Sequence, residues 1–154
     1  MEDTSGIVAR EVAFLNRAVQ LGFASGRVIA VSFPDSPPAD ADDEHPLLEE
    51  ITAYFEGEDI DFSGWEVALT MPTDRRDVLE TLRSIPYGEG VSVEQLTRMT
   101  PGLDPERGED VSLVRTSLAE NPVPLLVPDH RVADGPSGAP PAVEQQLCSI
   151  EGLA

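Results

Sequence analysis

Asp129, His130 and Arg131 place a carboxylate, an imidazole and a guanidinium side by side at the end of an apolar run, in the stretch NPVPLLVPDHRV from Asn121 to Val132. An imidazole beside a carboxylate is the material of acid–base and nucleophilic chemistry. Its position at the end of a segment apolar enough to be buried implies a scaffold that holds polar groups in a fixed place. The same residues also have a purely structural reading. Asp129 would cap a turn or accept hydrogen bonds from backbone amides, His130 would be a satisfied buried histidine, and Arg131 would pair with an acidic neighbour. On that reading Asp129→Ala costs about 0.5 to 2 kcal/mol, the usual loss for a cap.

The elements that must position this stretch follow from periodicity. Residues 7 to 33 read as a β-hairpin: an alternating segment through Ala13, Leu15 and Val19, a turn at Ala24-Ser25-Gly26, then RVIAVSF. The Pro- and Asp-rich segment Pro34 to Glu44 reads as a solvated loop. From His45, Leu48, Ile51, Tyr54 and Phe55 share one helical face that Gly57 ends, and Phe62 to Leu69 reads as a third strand. Helical patterning takes over near Met71-Pro72, which divides the chain into residues 1–70 and 71–154. Thr73 reads as the N-cap of a helix carrying Arg83 in its last turn. Ser92 caps VEQLTRM, and a loop leads into VSLVRTSLAEN. Two short helices after a longer one form a helix-turn-helix pattern within a winged-helix-like unit. A closing helix starts at Ala142, with Val143, Leu147 and Ile150 on its apolar face.

Composition narrows the setting. Acidic residues number 29 against 10 basic ones, every one of them arginine, for a formal net charge of −19. Such a surface repels itself unless concentrated salt screens it, which points to a halophile of the salt-in type, an archaeon. Molar salt also weakens counterion release, so any DNA contact rests on shape and local hydrogen bonds. No apolar run is long enough to span a membrane and no signal peptide is evident, so a cytoplasmic protein without a membrane partner is expected. A single cysteine, Cys148, excludes an internal disulfide, and two histidines, His45 and His130, make a metal cage improbable; no metal and no cofactor is expected.

The 121–132 stretch resembles the active-site segment of O6-alkylguanine-DNA alkyltransferases, with Asp129 where that family has its alkyl-accepting cysteine. IPYGE at Ile85 to Glu89, the NPVP turn and the closing PAVEQQLCSIEG match in the family's order. The resemblance implies an α/β fold: a small N-terminal ribonuclease-H-like domain, then a winged-helix-like domain with the helix-turn-helix. It also implies a relay of cysteine, histidine and glutamate, whose positions here are Asp129, His130 and Glu151; His130 would then bond Glu151. The family's intercalating arginine falls at Ser112 and its nucleotide-rotating tyrosine at Val93, neither able to do that work. Arg115, on the same helix as Ser112, is the residue that would substitute as wedge or phosphate contact, and Asn121 keeps a structural role at its turn. Together Val93, Ser112, Arg115, Asn121 and Arg131 make up the expected DNA-binding set.

Three functions fit these residues. The first is a cysteine-less, alkyltransferase-like protein that binds double-stranded DNA carrying alkylated guanine, or associates with repair, without catalysis. The second is a scaffold that has lost lesion binding and meets a protein partner. In the third, Asp129 forms an alkyl ester that water hydrolyses.

Overall fold

The computed structural model describes residues 6–39 and 41–153. Three antiparallel strands, β1 (Gly6–Val12), β2 (Arg17–Ala24) and β3 (Arg27–Ser32), form a sheet in the order β1-β2-β3. Five helices follow: α1 (Pro46–Phe55), α2 (Thr73–Leu82), α3 (Val93–Met99), α4 (Gly108–Ala119) and α5 (Pro141–Glu151). The chain is thus a mixed α/β fold with its sheet at the N-terminal end and helices thereafter.

The first segment of the expected hairpin is two strands rather than one. A 3-10 turn at Ala13–Leu15 and the left-handed Asn16 (φ 55°) reverse the chain between them, without the glycine or proline that marks such a reversal. The second turn lies where its sequence suggests, with Ser25 and Gly26 both at positive φ. Phe62 to Leu69 is not a strand. Asp61 accepts the Ser63 amide, Phe62–Gly64 turns as a 3-10 helix, and only Val67 bridges to Val28.

α1 starts after His45, whose Nδ1 accepts the Leu47 amide, and buries Leu47, Leu48, Ile51, Tyr54 and Phe55. α2 begins at Thr73 itself with no side-chain cap, the preceding Pro72 being the boundary residue. Arg83 ends it by turning inward: its guanidinium donates to the carbonyls of Phe62 and Trp65 (both 2.9 Å) and Leu126 (3.3 Å). α3 has a full capping box, Ser92 accepting from the Gln95 amide and the Gln95 side chain accepting from Ser92. α4 starts at Gly108, three residues before the expected Val111, because Glu109 and Asp110 suit a helix N-terminus. α2, α3 and α4 pack on one another. One apolar cluster joins the sheet and α1 (Leu21, Val28, Leu48, Ile51) to the later helices (Leu79, Leu96, Leu118, Leu147). No described helix is long and apolar enough to cross a membrane.

Candidate functional site

Asn121 builds the floor of the site. The Val123 amide donates to its Oδ1 (3.0 Å), which turns its Nδ2 toward two acceptors, the Val127 carbonyl (3.0 Å) and Asp129 Oδ2 (2.9 Å). This brace holds a tight loop in which Leu125 adopts a φ of 81°, a strained value for a bulky residue. The loop delivers Asp129, His130 and Arg131 as one 3-10 turn, all three buried.

Asp129 is 0% exposed. Besides Asn121, its carboxylate takes the Gly138 amide on Oδ2 (2.7 Å) and the Ser137 hydroxyl on Oδ1 (2.6 Å). Burial pushes this carboxyl above the usual carboxylate range, opposed by the hydrogen bonds from Ser137, Gly138 and Asn121 and by the nearby His130. Ser137 and Gly138 lie in the Gly- and Pro-rich loop 134–141 that leads to α5. Their one legible signal is a Ser-Gly pair between the reactive tripeptide and the closing helix.

Glu151, on the last turn of α5, is a second hub. His130 Nε2 lies 2.7 Å from Oε2 and Arg131 donates through Nε to Oε1 (2.8 Å) and through Nη2 to Oε2 (3.0 Å). Tyr54 from α1 donates its hydroxyl to Oε2, and the Gly88 amide reaches Oε1 at 3.0 Å. Burial alone would raise this carboxyl, yet the bonds from His130, Arg131 and Tyr54 prevail and hold it well below the usual range. His130 Nδ1 is the one buried side-chain polar atom, among the described residues, with no hydrogen-bond partner. Arg131 Nη1 donates to the Ile85 carbonyl (2.6 Å), so this guanidinium is committed to the interior.

The geometry brings Asn121, Asp129, His130, Arg131 and Glu151 together and leaves the remaining expected residues apart. Val93 is 2% exposed and packs in the core, its amide capped by Asp134 Oδ1 at 2.7 Å. Asn121 and Arg131 are likewise buried, at 4% and 7% exposure. Ser112 and Arg115 are exposed on α4, and Arg115 is tethered to the Asp134 carbonyl (3.1 Å). Cys148 is half-buried, its thiol pushed up by burial and donating to the His130 carbonyl at 3.3 Å. That bond ties α5 to the tripeptide turn. No three His, Cys, Asp or Glu side chains among the described residues are placed to hold a metal.

Chemically, Asp129 is closed off from solvent, and three donors engage its two oxygens. It lines neither the 480 Å3 cleft beside His130 and Cys148 nor the 400 Å3 cleft beside Arg83 and Tyr87. What remains of a relay is the Glu151–His130 pair, which stops at the unpartnered His130 Nδ1 and makes no hydrogen bond to the Asp129 carboxylate.

No family model matches the chain. A methylated-DNA–protein-cysteine methyltransferase from Methanopyrus kandleri is 33% identical over 112 residues, spanning 70% of this chain and 80% of that protein. The chain belongs to that family. A second methyltransferase of the family, from Metallosphaera sedula, is 28% identical over 110 residues, 69% of this chain and 66% of its own length. Among solved structures, Mycobacterium tuberculosis OGT in complex with DNA superposes with a TM-score of 0.72 at 19% identity, covering 95% of this chain and 92% of that one. The O6-methylguanine-DNA methyltransferase of Pyrococcus kodakaraensis KOD1 gives 0.62 at 20%, covering 95% and 98%. These likenesses establish a methyltransferase fold over 95% of the chain.

Proposed function

We propose that this chain is a non-catalytic, alkyltransferase-like member of the methyltransferase family, one that acts in DNA repair by binding rather than by accepting an alkyl group. The observation that carries this reading is the fully buried carboxylate of Asp129, held by three donors. Its relatives are named for transfer to a cysteine, and the resembling position here holds a weak nucleophile, fully buried, with both oxygens engaged. The same burial and donors argue against an Asp129 ester route, since an attacking oxygen must be uncovered and must shed a donor first. α3 and α4 form the helix-turn-helix, with Ser112 and Arg115 on its exposed side as the contacts to duplex DNA. A related fold solved with DNA supports that placement.

The test is binding in about 1 to 3 M KCl, where charge is screened, to matched duplexes with and without one O6-methylguanine, together with an assay for methyl loss. Preference for the lesion with no methyl loss is expected. Methyl loss from the duplex would overturn the non-catalytic reading.

A second reading is a protein-interaction scaffold. It is favoured by the carboxylates around the helix pair: Arg98 is paired with Glu94 (2.8 Å) and Arg107 with Asp110 (4.0 Å), leaving Asp104, Glu106 and Glu109 to set the sign of the field. Equal or absent binding to both duplexes selects this reading.

A further inference from the structure

Three donors converge on the Asp129 carboxylate, and each is held in place by something other than that carboxylate. The Asn121 amide is fixed by Val123 N and the Val127 carbonyl. The Ser137 hydroxyl accepts the Ala139 amide at 3.0 Å, so its own proton is the one aimed at Oδ1. Gly138 lies so close to the Asn121 backbone that an added Cβ would sit 2.2 Å from the Asn121 carbonyl oxygen. Nδ2–H of Asn121 and N–H of Gly138 can only donate. A pre-built set of three donors aimed at one buried point is a receptor for an oxyanion, in the way oriented amides hold anions elsewhere.

We propose that Asn121, Ser137 and Gly138 form an oxyanion-binding site whose resident ligand is the chain's own Asp129 carboxylate, and that a small free carboxylate takes that place when the side chain is cut back. In the native chain this internal ligand closes the site to any incoming carbonyl or phosphate oxygen and ties the 134–141 loop to the Asn121 turn.

Size makes the site selective. Asp129→Ala removes one carboxylate and leaves Cβ, so formate fits; Asp129→Gly also removes Cβ, so acetate fits. The experiment is thermal unfolding at constant potassium concentration, with chloride replaced stepwise by formate or acetate. A saturable rise in Tm is expected for Asp129→Ala with formate and for Asp129→Gly with acetate, and none for the parent protein, since ligand that binds only the folded state stabilises it by mass action. Adding Ser137→Ala to Asp129→Ala is expected to weaken the apparent formate affinity about tenfold, one charge-assisted hydrogen bond's worth. If Asp129→Ala is unfolded in chloride, recovery of the folded state on adding formate becomes the readout. No saturable response in either variant, or equal gains in the parent, overturns the proposal.

Discussion

At the scale of single residues, the site is two carboxylates treated in opposite ways by their surroundings. Asp129 meets three donors, two of them uncharged amides, while Glu151 meets Arg131, His130, Tyr54 and the Gly88 amide. The cost of Asp129→Ala therefore exceeds that of a lost cap. It orphans three donors, of which Asn121 is buried and the Ser137 and Gly138 bonds part-buried, and a loss of about 3 kcal/mol is expected in denaturant unfolding, from charge-assisted bonds at about 1.5 to 3 kcal/mol each with partial relaxation. Glu151 gives the pH dependence. Its folded-state proton affinity is depressed below the ordinary 4.5, so the stability it contributes is fully present above about pH 4.5 and is lost as the pH falls below it. Asp129, shifted the other way, partly opposes that trend. Glu151→Gln is expected to lose about 3 to 5 kcal/mol at pH 7, because Arg131 is left buried without its counter-charge, and to show a flatter acid limb than the parent. A parallel acid limb in the two proteins would count against Glu151 as the titrating group. The adjacency of Asn121, Asp129, His130 and Arg131 was visible in the sequence because one short stretch carries them. Tyr54 was hidden because its ring belongs to the apolar face of α1, and only the fold reveals that its hydroxyl reaches Glu151.

At the scale of elements, legibility follows local chemistry. α1 and α3 carry their start signals in His45-Pro46 and Ser92-Gln95, so their beginnings can be read directly. The β1–β2 reversal is hidden in the sequence, because Val12 to Val19 (VAFLNRAV) is largely apolar and its turn carries neither glycine nor proline, only Asn16. Phe62 to Leu69 has the composition of a strand, and tertiary placement by Arg83 overrides it. The 134–141 loop is the element on which the site depends, and Gly138 is its pivot. Gly138→Ala forces a Cβ against backbone that cannot yield by a rotamer change. A loss of about 1 to 3 kcal/mol, the range for overpacking, should accompany loosening of the loop, read as faster amide exchange at Gly138 with that of α2 unchanged. Unaltered exchange at Gly138 would show that the loop does not hang on this contact.

At the scale of the whole molecule, 29 acidic residues face 10 arginines. Self-repulsion of that magnitude is expected to make Tm climb as KCl rises from about 0.1 M to 2 M and the screening length shrinks toward about 3 Å. A flat Tm over that interval would argue against the salt-adapted setting inferred from composition. The fold class was legible at this scale, since the order of motifs is preserved along the chain; how the two ends meet was not. Tyr54 and Glu151 are 97 positions apart, and the bond between them joins a helix of the first half to the last helix of the second. A contact that closes so long a loop earns its stabilisation late on the folding route, after the local helices and the hairpins have formed. Its removal therefore belongs to the way out rather than the way in. Tyr54→Phe is expected to accelerate unfolding several-fold while leaving the refolding rate nearly unchanged in a chevron measurement, so that this one hydroxyl acts as a latch on the lifetime of the native chain.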